Sequence, residues 1–163
     1  MMSDKFPITP AVRVLRNEKI PFDSHLYEYE ENGGTKASAM ALQVDEHCVI
    51  KTLVMADDHQ RPLIVLMHGD KQVSTKQLAR VLGVKSILPC SPQVAQKYSG
   101  YLVGGTSPFG TRHPMPVYME QSIMELPKIY INGGKRGYLV SLSPQALVKI
   151  LQPILVEVGI EIM

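Results

Sequence analysis

Cys48-Val49-Ile50-Lys51-Thr52-Leu53-Val54-Met55-Ala56-Asp57-Asp58-His59-Gln60-Arg61-Pro62-Leu63-Ile64-Val65-Leu66-Met67 is the stretch that decides the fold class. Its two apolar runs, Cys48 to Met55 and Pro62 to Met67, are short and rich in β-branched residues. Asp57-Asp58 lies between them, so they read as strands joined by a hairpin turn. Alternation along the first run places Lys51 on the same face as Val49, Leu53 and Met55. A lysine on an apolar strand face is out of pattern, because burying an unpaired ammonium is costly. Two readings follow. Lys51 snorkels to solvent or guards an edge strand, or it is a cationic donor in a pocket, aimed at a carbonyl or phosphate oxygen.

Outward from this hairpin, Ser86 to Leu88, Pro116 to Met119, Ile129 to Asn132 and Tyr138 to Leu142 also read as strands. Asn132-Gly133-Gly134-Lys135-Arg136-Gly137 reads as a second turn, since its glycines can adopt positive φ. Thr9-Pro10, Ser91-Pro92 and Ser143-Pro144 each open a helix. The hydroxyl caps free N–H groups, and proline at the first helical position lacks only a donor that would be unpaired there. A further helix is expected from Ser74 to Leu82, with Leu78, Val81 and Leu82 inward and Gly83 ending it, and a shorter one from Thr35. Hairpins mixed with helices favour a single α+β (mixed α/β) domain over 1–163. There is no internal repeat, linker or low-complexity tract.

Composition agrees. A chain of 163 residues with 45% hydrophobic and 20% charged residues is neither disordered nor a membrane protein, and no apolar run approaches the ~20 residues of a bilayer span. Met1-Met2-Ser3-Asp4-Lys5-Phe6-Pro7 has no signal-peptide character, so the expected location is cytoplasmic. Cys48 and Cys90 are too few for a disulfide scaffold and read as small core residues. The formal charge is only +2. Acids cluster in residues 1–70 and bases in 71–136, which permits a basic face for a phosphate-bearing partner or equally a solvated surface.

Gly100-Tyr101-Leu102-Val103-Gly104-Gly105-Thr106-Ser107-Pro108-Phe109-Gly110 is a loop whose backbone can approach a ligand without Cβ obstruction, and its N–H groups could form an anion nest. It matches neither a Walker loop nor a dinucleotide fingerprint, so turn chemistry alone could also explain it. Lys135 and Arg136 in the second turn could clamp phosphates or be solvated. Tyr27 alternates with His25 and Tyr29 and could be packing only. His25, His47, His59, His68 and His113 show no paired spacing for zinc, and no G-x-S-x-G elbow is present. No metal or cofactor is expected.

Taken together, Thr9-Pro10-Ala11-Val12, Tyr27, Val49-Ile50-Lys51-Thr52-Leu53, the Gly100–Gly110 loop and Ile129-Tyr130-Ile131-Asn132-Gly133-Gly134-Lys135-Arg136-Gly137 resemble, in order and spacing, the YbaK/EbsC family of aminoacyl-tRNA deacylases. That family is related to the editing insertion of bacterial prolyl-tRNA synthetases. The resemblance implies a mostly antiparallel sheet curled into a barrel-like core with flanking helices. It also implies metal-independent hydrolysis of a mischarged aminoacyl-tRNA ester, often cysteinyl-tRNA(Pro), with prolyl-tRNA synthetase as a partner. Lys51 matches the family's essential lysine, Gly104 the loop glycine that meets the aminoacyl carbonyl, and Tyr27 a pocket tyrosine. Gly105, Thr106, Ser107, Pro108, Asn132, Gly133 and Gly134 fall in the implied substrate site, and Lys135 and Arg136 in the implied tRNA contact. Two departures bear on amino-acid specificity. Leu139 stands where cysteine-clearing members carry an acid, and Asn32-Gly33-Gly34-Thr35 lacks the family's pocket phenylalanine.

The leading expectation is a trans-acting aminoacyl-tRNA deacylase. The ribose hydroxyl is already a competent leaving group, so the protein need only position the ester and stabilise an oxyanion through Lys51 and loop N–H groups. Lys51 could instead act as a base, and the attacking group is water or a substrate group such as a thiol. The alternatives are a non-catalytic module that binds aminoacyl-tRNA or a synthetase, and a hydrolase of another small ester or thioester.

Overall fold

The computed structural model describes residues 5–162; residues 1–4, part of the N-terminal stretch read above for a signal, lie outside it. The elements run α1 (Pro10–Asn17), β1 (Asp23–Leu26), α2 (Gly34–Leu42), β2 (Val49–Asp57), β3 (Pro62–His68), β4 (Lys71–Val73) and α3 (Thr75–Leu82). They continue with β5 (Ile87–Pro89), α4 (Pro92–Ser99), β6 (Val117–Glu120), β7 (Ile129–Lys135), β8 (Tyr138–Leu142), α5 (Pro144–Leu151), β9 (Ile154–Val156) and β10 (Gly159–Glu161). The hairpin of β2 and β3 forms as expected, pairing antiparallel from Ile50↔His68 to Ala56↔Pro62.

The main sheet runs β1-β8-β7-β2-β3-β6-β9, with β5 also paired to β2, while β10 and β4 pair separately. Pairings β1–β8, β7–β8, β2–β3 and β2–β5 are antiparallel; β2–β7, β3–β6 and β6–β9 are parallel. This is the expected mixed, mostly antiparallel sheet with flanking helices. Among the described residues β1 and β9, its two ends, are not paired with each other.

One face of the hairpin, with Ile50, Val54, Ile64 and Leu66, packs against Leu15 of α1 and Leu147 of α5. On the other face Met55, Val65 and Met67 pack with Leu78 of α3 and Val156 of β9, and Val49 packs with Ala39, Tyr130 and Leu139. Leu53 packs against the first of these two clusters, and Lys51, on the same face between Leu53 and Val49, occupies a gap in the apolar layer.

Caps at Thr9, Ser74 and Ser91 accept from the N–H three residues on. Ser143 makes no side-chain cap bond, so Pro144 alone opens α5. Val81, expected inward, is 59% exposed, whereas Leu78 is fully buried. At 100° per residue the buried stripe of α3 is centred among Leu78, Ala79 and Leu82, which leaves Val81 well to one side. Cys48 and Cys90 are free and half-buried. No helix among the described residues is long and apolar enough to cross a membrane.

Candidate active site

The sheet opens along β2. β7 accompanies it only over Val49 and Ile50, and β5 joins the same side from Met55 onward. A cavity of about 930 Å3 occupies this opening and is lined by residues from both faces of β2, Lys51 and Thr52 among them. A shallower hollow of about 460 Å3 beside Arg13, Val14, Arg16 and Asn17 contains none of the expected site residues.

Lys51 is half-buried and its ammonium donates to the Lys71 carbonyl at 2.6 Å. Burial pushes its pKa down, opposed by the negative charges of Glu46 and Asp70. Glu46 also lines the cavity; its Oε2 accepts the Thr35 hydroxyl at 2.7 Å. Tyr27 lines the cavity too, anchored by its N–H to the Gly137 carbonyl at 3.0 Å. Burial is the main cause that raises its phenol pKa. Leu139 is 4% exposed and contributes an apolar wall where the family resemblance implies an acid.

Gly104 reaches the same cavity with φ +94°. A Cβ there would sit 2.5 Å from the Tyr29 hydroxyl, so glycine is required for the tyrosine to cover the loop. Asn132 holds the loop in place. Its Nδ2 donates to the Gly104 carbonyl at 3.0 Å, while its Oδ1 accepts from the N–H groups of Gly134 and Lys135 at 2.7 and 3.1 Å. Val103 and Thr106 complete the loop's share of the lining.

The remaining expected residues do not line the cavity. The Gly105 N–H is used by the Leu102 carbonyl at 2.8 Å, and a Cβ on Gly105 would lie 2.8 Å from the Arg136 nitrogen. That glycine packs under the β7–β8 turn, and its N–H is not free for an anion nest. Ser107 is fully buried and accepts from the Phe109 N–H at 3.2 Å; Pro108 is buried beside it. Gly133 lies against the Tyr138 ring, and Gly134 against Tyr101 and Thr9. Lys135 and Arg136 are exposed. Arg136 donates from Nε to the Val103 carbonyl at 2.9 Å and lies 5.2 Å from the Tyr29 ring centroid, bracing the glycine loop from outside.

Sequence reasoning did not pick out Tyr29, Glu46, Thr35, Thr52 or Cys90 as lining residues. Only Tyr29 had a signal, its alternation with Tyr27. The fold also brings together His47, His68 and Asp70, whose possible ligand atoms lie within 4.8 Å of one another. His68 Nδ1 is 2.8 Å from the His47 carbonyl, which can only accept, so Nδ1 carries the proton and Nε2 accepts the Ser122 hydroxyl at 2.7 Å. His47 Nδ1 meets Asp70 at 2.9 Å, and the two rings stack 3.8 Å apart at 5°. Lone pairs in parallel planes converge poorly on one ion, so this cluster reads as a brace for the β3–β4 connection.

Residues 30–150 match the family described as the aminoacyl-tRNA editing domain. The chain is 25% identical over 143 residues, 87% of each chain, to a candidate Cys-tRNA(Pro)/Cys-tRNA(Cys) deacylase, EbsC, of Enterococcus faecalis. It is 29% identical over 107 residues to a proline–tRNA ligase of Streptococcus equi subsp. zooepidemicus, covering 65% of this chain and 17% of the ligase. Among solved structures, that of a candidate trans-editing enzyme for prolyl tRNA synthetase superposes with a TM-score of 0.80 at 17% identity, covering 94% of this chain and 99% of that one. At such identity the likeness concerns the fold.

Proposed function

We propose that this chain, which belongs to the aminoacyl-tRNA editing domain family, is a single-domain, cytoplasmic, trans-acting aminoacyl-tRNA deacylase. Its substrate is Cys-tRNA(Pro) or another tRNA mischarged with a small amino acid. The observation that carries the reading is the half-buried Lys51 ammonium on the same cavity as Gly104. The cavity receives the aminoacyl ester of the terminal adenosine. The Lys51 cation stabilises the charge that develops on the ester oxygen. Asn132 fixes the Gly104 peptide that positions the ester. Burial pulls the Lys51 pKa down, and the negative charges of Glu46 and Asp70 oppose that pull while the Lys71 carbonyl accepts a hydrogen bond from the amine. The attacking group is water or a group of the substrate, and the ribose hydroxyl leaves.

An apolar pocket discriminates amino acids by only about 1–3 kcal/mol per methylene and does not read which tRNA carries them, so the identity of the tRNA comes partly from a synthetase partner, prolyl-tRNA synthetase. The exposed Lys135 and Arg136 face the tRNA backbone. The test is deacylation of a panel of mischarged tRNAs by the wild type and Lys51→Ala. The expected result is hydrolysis of at least one substrate and a loss of about 100-fold or more in the variant. Hydrolysis no faster than buffer across the panel defeats the reading.

Leu139 favours a second reading, a non-catalytic module that holds aminoacyl-tRNA or the synthetase. That reading expects aminoacyl-tRNA binding that Lys51→Ala weakens, with no turnover in either protein.

A further inference from the structure

Among the described residues the opening in the sheet leaves main-chain hydrogen bonding unfilled, most completely at Thr52, where both peptide groups lack a partner, and next to it at the Val54 N–H. Ile64 of β3 donates its N–H to the Pro116 carbonyl at 2.9 Å, on the β6 side. Alternation then turns Leu63, Val65 and Met67 toward β2, where the register pairs them with Met55, Leu53 and Lys51. Ile50, Thr52 and Val54 therefore point their peptide groups the other way. Val54 does so visibly, its carbonyl accepting from the Cys90 N–H at 3.0 Å. Thr52 points its N–H and C=O into the space that β7 leaves after Ile50 and β5 enters at Met55. Among the described residues nothing bonds them. The Thr52 hydroxyl is also buried without a partner, and the residue lines the cavity.

Peptide groups left unpaired inside a fold are costly, and native proteins satisfy nearly all of them. An unpaired strand edge inside a cavity is accordingly a binding edge, by the same physics that adds a peptide strand to a sheet. An aminoacyl ester has the complementary form, since its α-ammonium, Cα and carbonyl repeat the donor and acceptor of a single strand residue. In antiparallel pairing, two facing residues exchange both hydrogen bonds.

We infer that Thr52 is a substrate-binding residue that reads the aminoacyl group through its main chain. The α-ammonium donates to the Thr52 carbonyl, and the ester carbonyl accepts the Thr52 N–H. This rests on the deacylase reading and specifies its substrate contact: any α-aminoacyl ester fits the edge, whatever its side chain. It also supplies an N–H donor for the ester oxygen on the strand that carries Lys51, a role the occupied N–H of Gly105 does not fill.

The test uses the full chain labelled with 15N-threonine, the Thr52 signal being identified by its loss in Thr52→Ser. It is titrated with non-hydrolysable 3′-deoxy-3′-aminoacylamino adenosines bearing alanyl, seryl or cysteinyl groups, and with the propionyl analogue, which is the alanyl compound without its α-amino group. The expected result is a shift of the Thr52 amide, amide hydrogen exchange at least ~10-fold slower at saturation, and at least ~10-fold weaker binding of the propionyl compound. The inference is overturned if an analogue binds while Thr52 exchange stays as in the free protein, if the propionyl compound binds equally well, or if none binds. The mischarged-tRNA panel separates the two ideas: turnover there without a Thr52 response keeps the deacylase and discards this contact.

Discussion

In Asn132→Ala three hydrogen bonds are removed at once, one to the Gly104 carbonyl and two from the Gly134 and Lys135 N–H groups. These bonds are partly exposed, so about 0.5–1.5 kcal/mol each gives a total near 2–3 kcal/mol. For a chain of this size each kcal/mol moves Tm by about 2–4 °C, so the melting temperature should fall by about 5–10 °C. Asn132→Asp divides the two functions of the side chain. Its carboxylate still accepts both N–H groups, with charge assistance. It cannot donate to Gly104, and it sets a negative charge against that carbonyl. The aspartate variant should therefore melt above the alanine variant. If the Gly104 peptide positions the ester, it should nonetheless deacylate no better, both losing about 100-fold in kcat/KM. Thermal unfolding and single-turnover deacylation on the same preparations make the comparison. Equal melting of the two variants would refute the assigned bonds, and wild-type turnover in Asn132→Asp would refute the role of the Gly104 orientation.

Gly105→Ala drives a Cβ to 2.8 Å from the Arg136 nitrogen and 2.9 Å from the Lys135 carbonyl carbon, backbone atoms that cannot rotate away. A stability loss of about 2–3 kcal/mol is expected in urea titrations, and an unchanged midpoint would contradict the packing. Lys51→Met tests the buried ammonium through pH. The folded lysine has a pKa below its unfolded value, so between the two the unfolded chain binds more protons and wild-type stability rises with pH. The wild type should gain on Lys51→Met as the pH climbs through that window; a constant difference would place the amine in bulk water. Leu139→Asp puts a carboxyl among Ala39, Val49 and Tyr130. Burial there raises its folded pKa, so the variant should be most stable at low pH and lose stability as the pH rises. Its deacylation profile across the mischarged tRNAs should shift if this wall selects the amino acid.

Much of this arrangement was legible from local rules. The β2–β3 hairpin follows from two β-branched runs about Asp57-Asp58, and the starts of α1, α3 and α4 follow from hydroxyl caps. The oddity of Lys51 followed from alternation alone. Less legible were the three-residue strands β4, β9 and β10, which are too short to display a period and exist because long-range partners pair them. The glycine loop misled in a specific way. Residue type showed where the backbone could approach something closely, but not what. For Gly104 that neighbour is the Tyr29 ring beside the cavity, and for Gly105, Gly133 and Gly134 it is the protein itself. Glu46 and Thr52 gave no sign, because their place on the cavity depends on how β7 and β5 share an edge of β2.

That shared edge is the source of the site. β2 has nine residues, but the strands on its open side cover only its two ends. A sheet built for stability alone would continue one partner along the whole edge and satisfy Thr52. Here α2 and the Gly100–Gly110 loop border the gap, and Lys51 enters it from one face while Thr52 enters from the other. The resulting loss of main-chain pairing is a local inconsistency of the kind that proteins retain where a ligand completes the structure. If so, ligand binding should protect the β2 edge from exchange more than any helix of the fold, since the helices already make their own main-chain bonds when the cavity is empty.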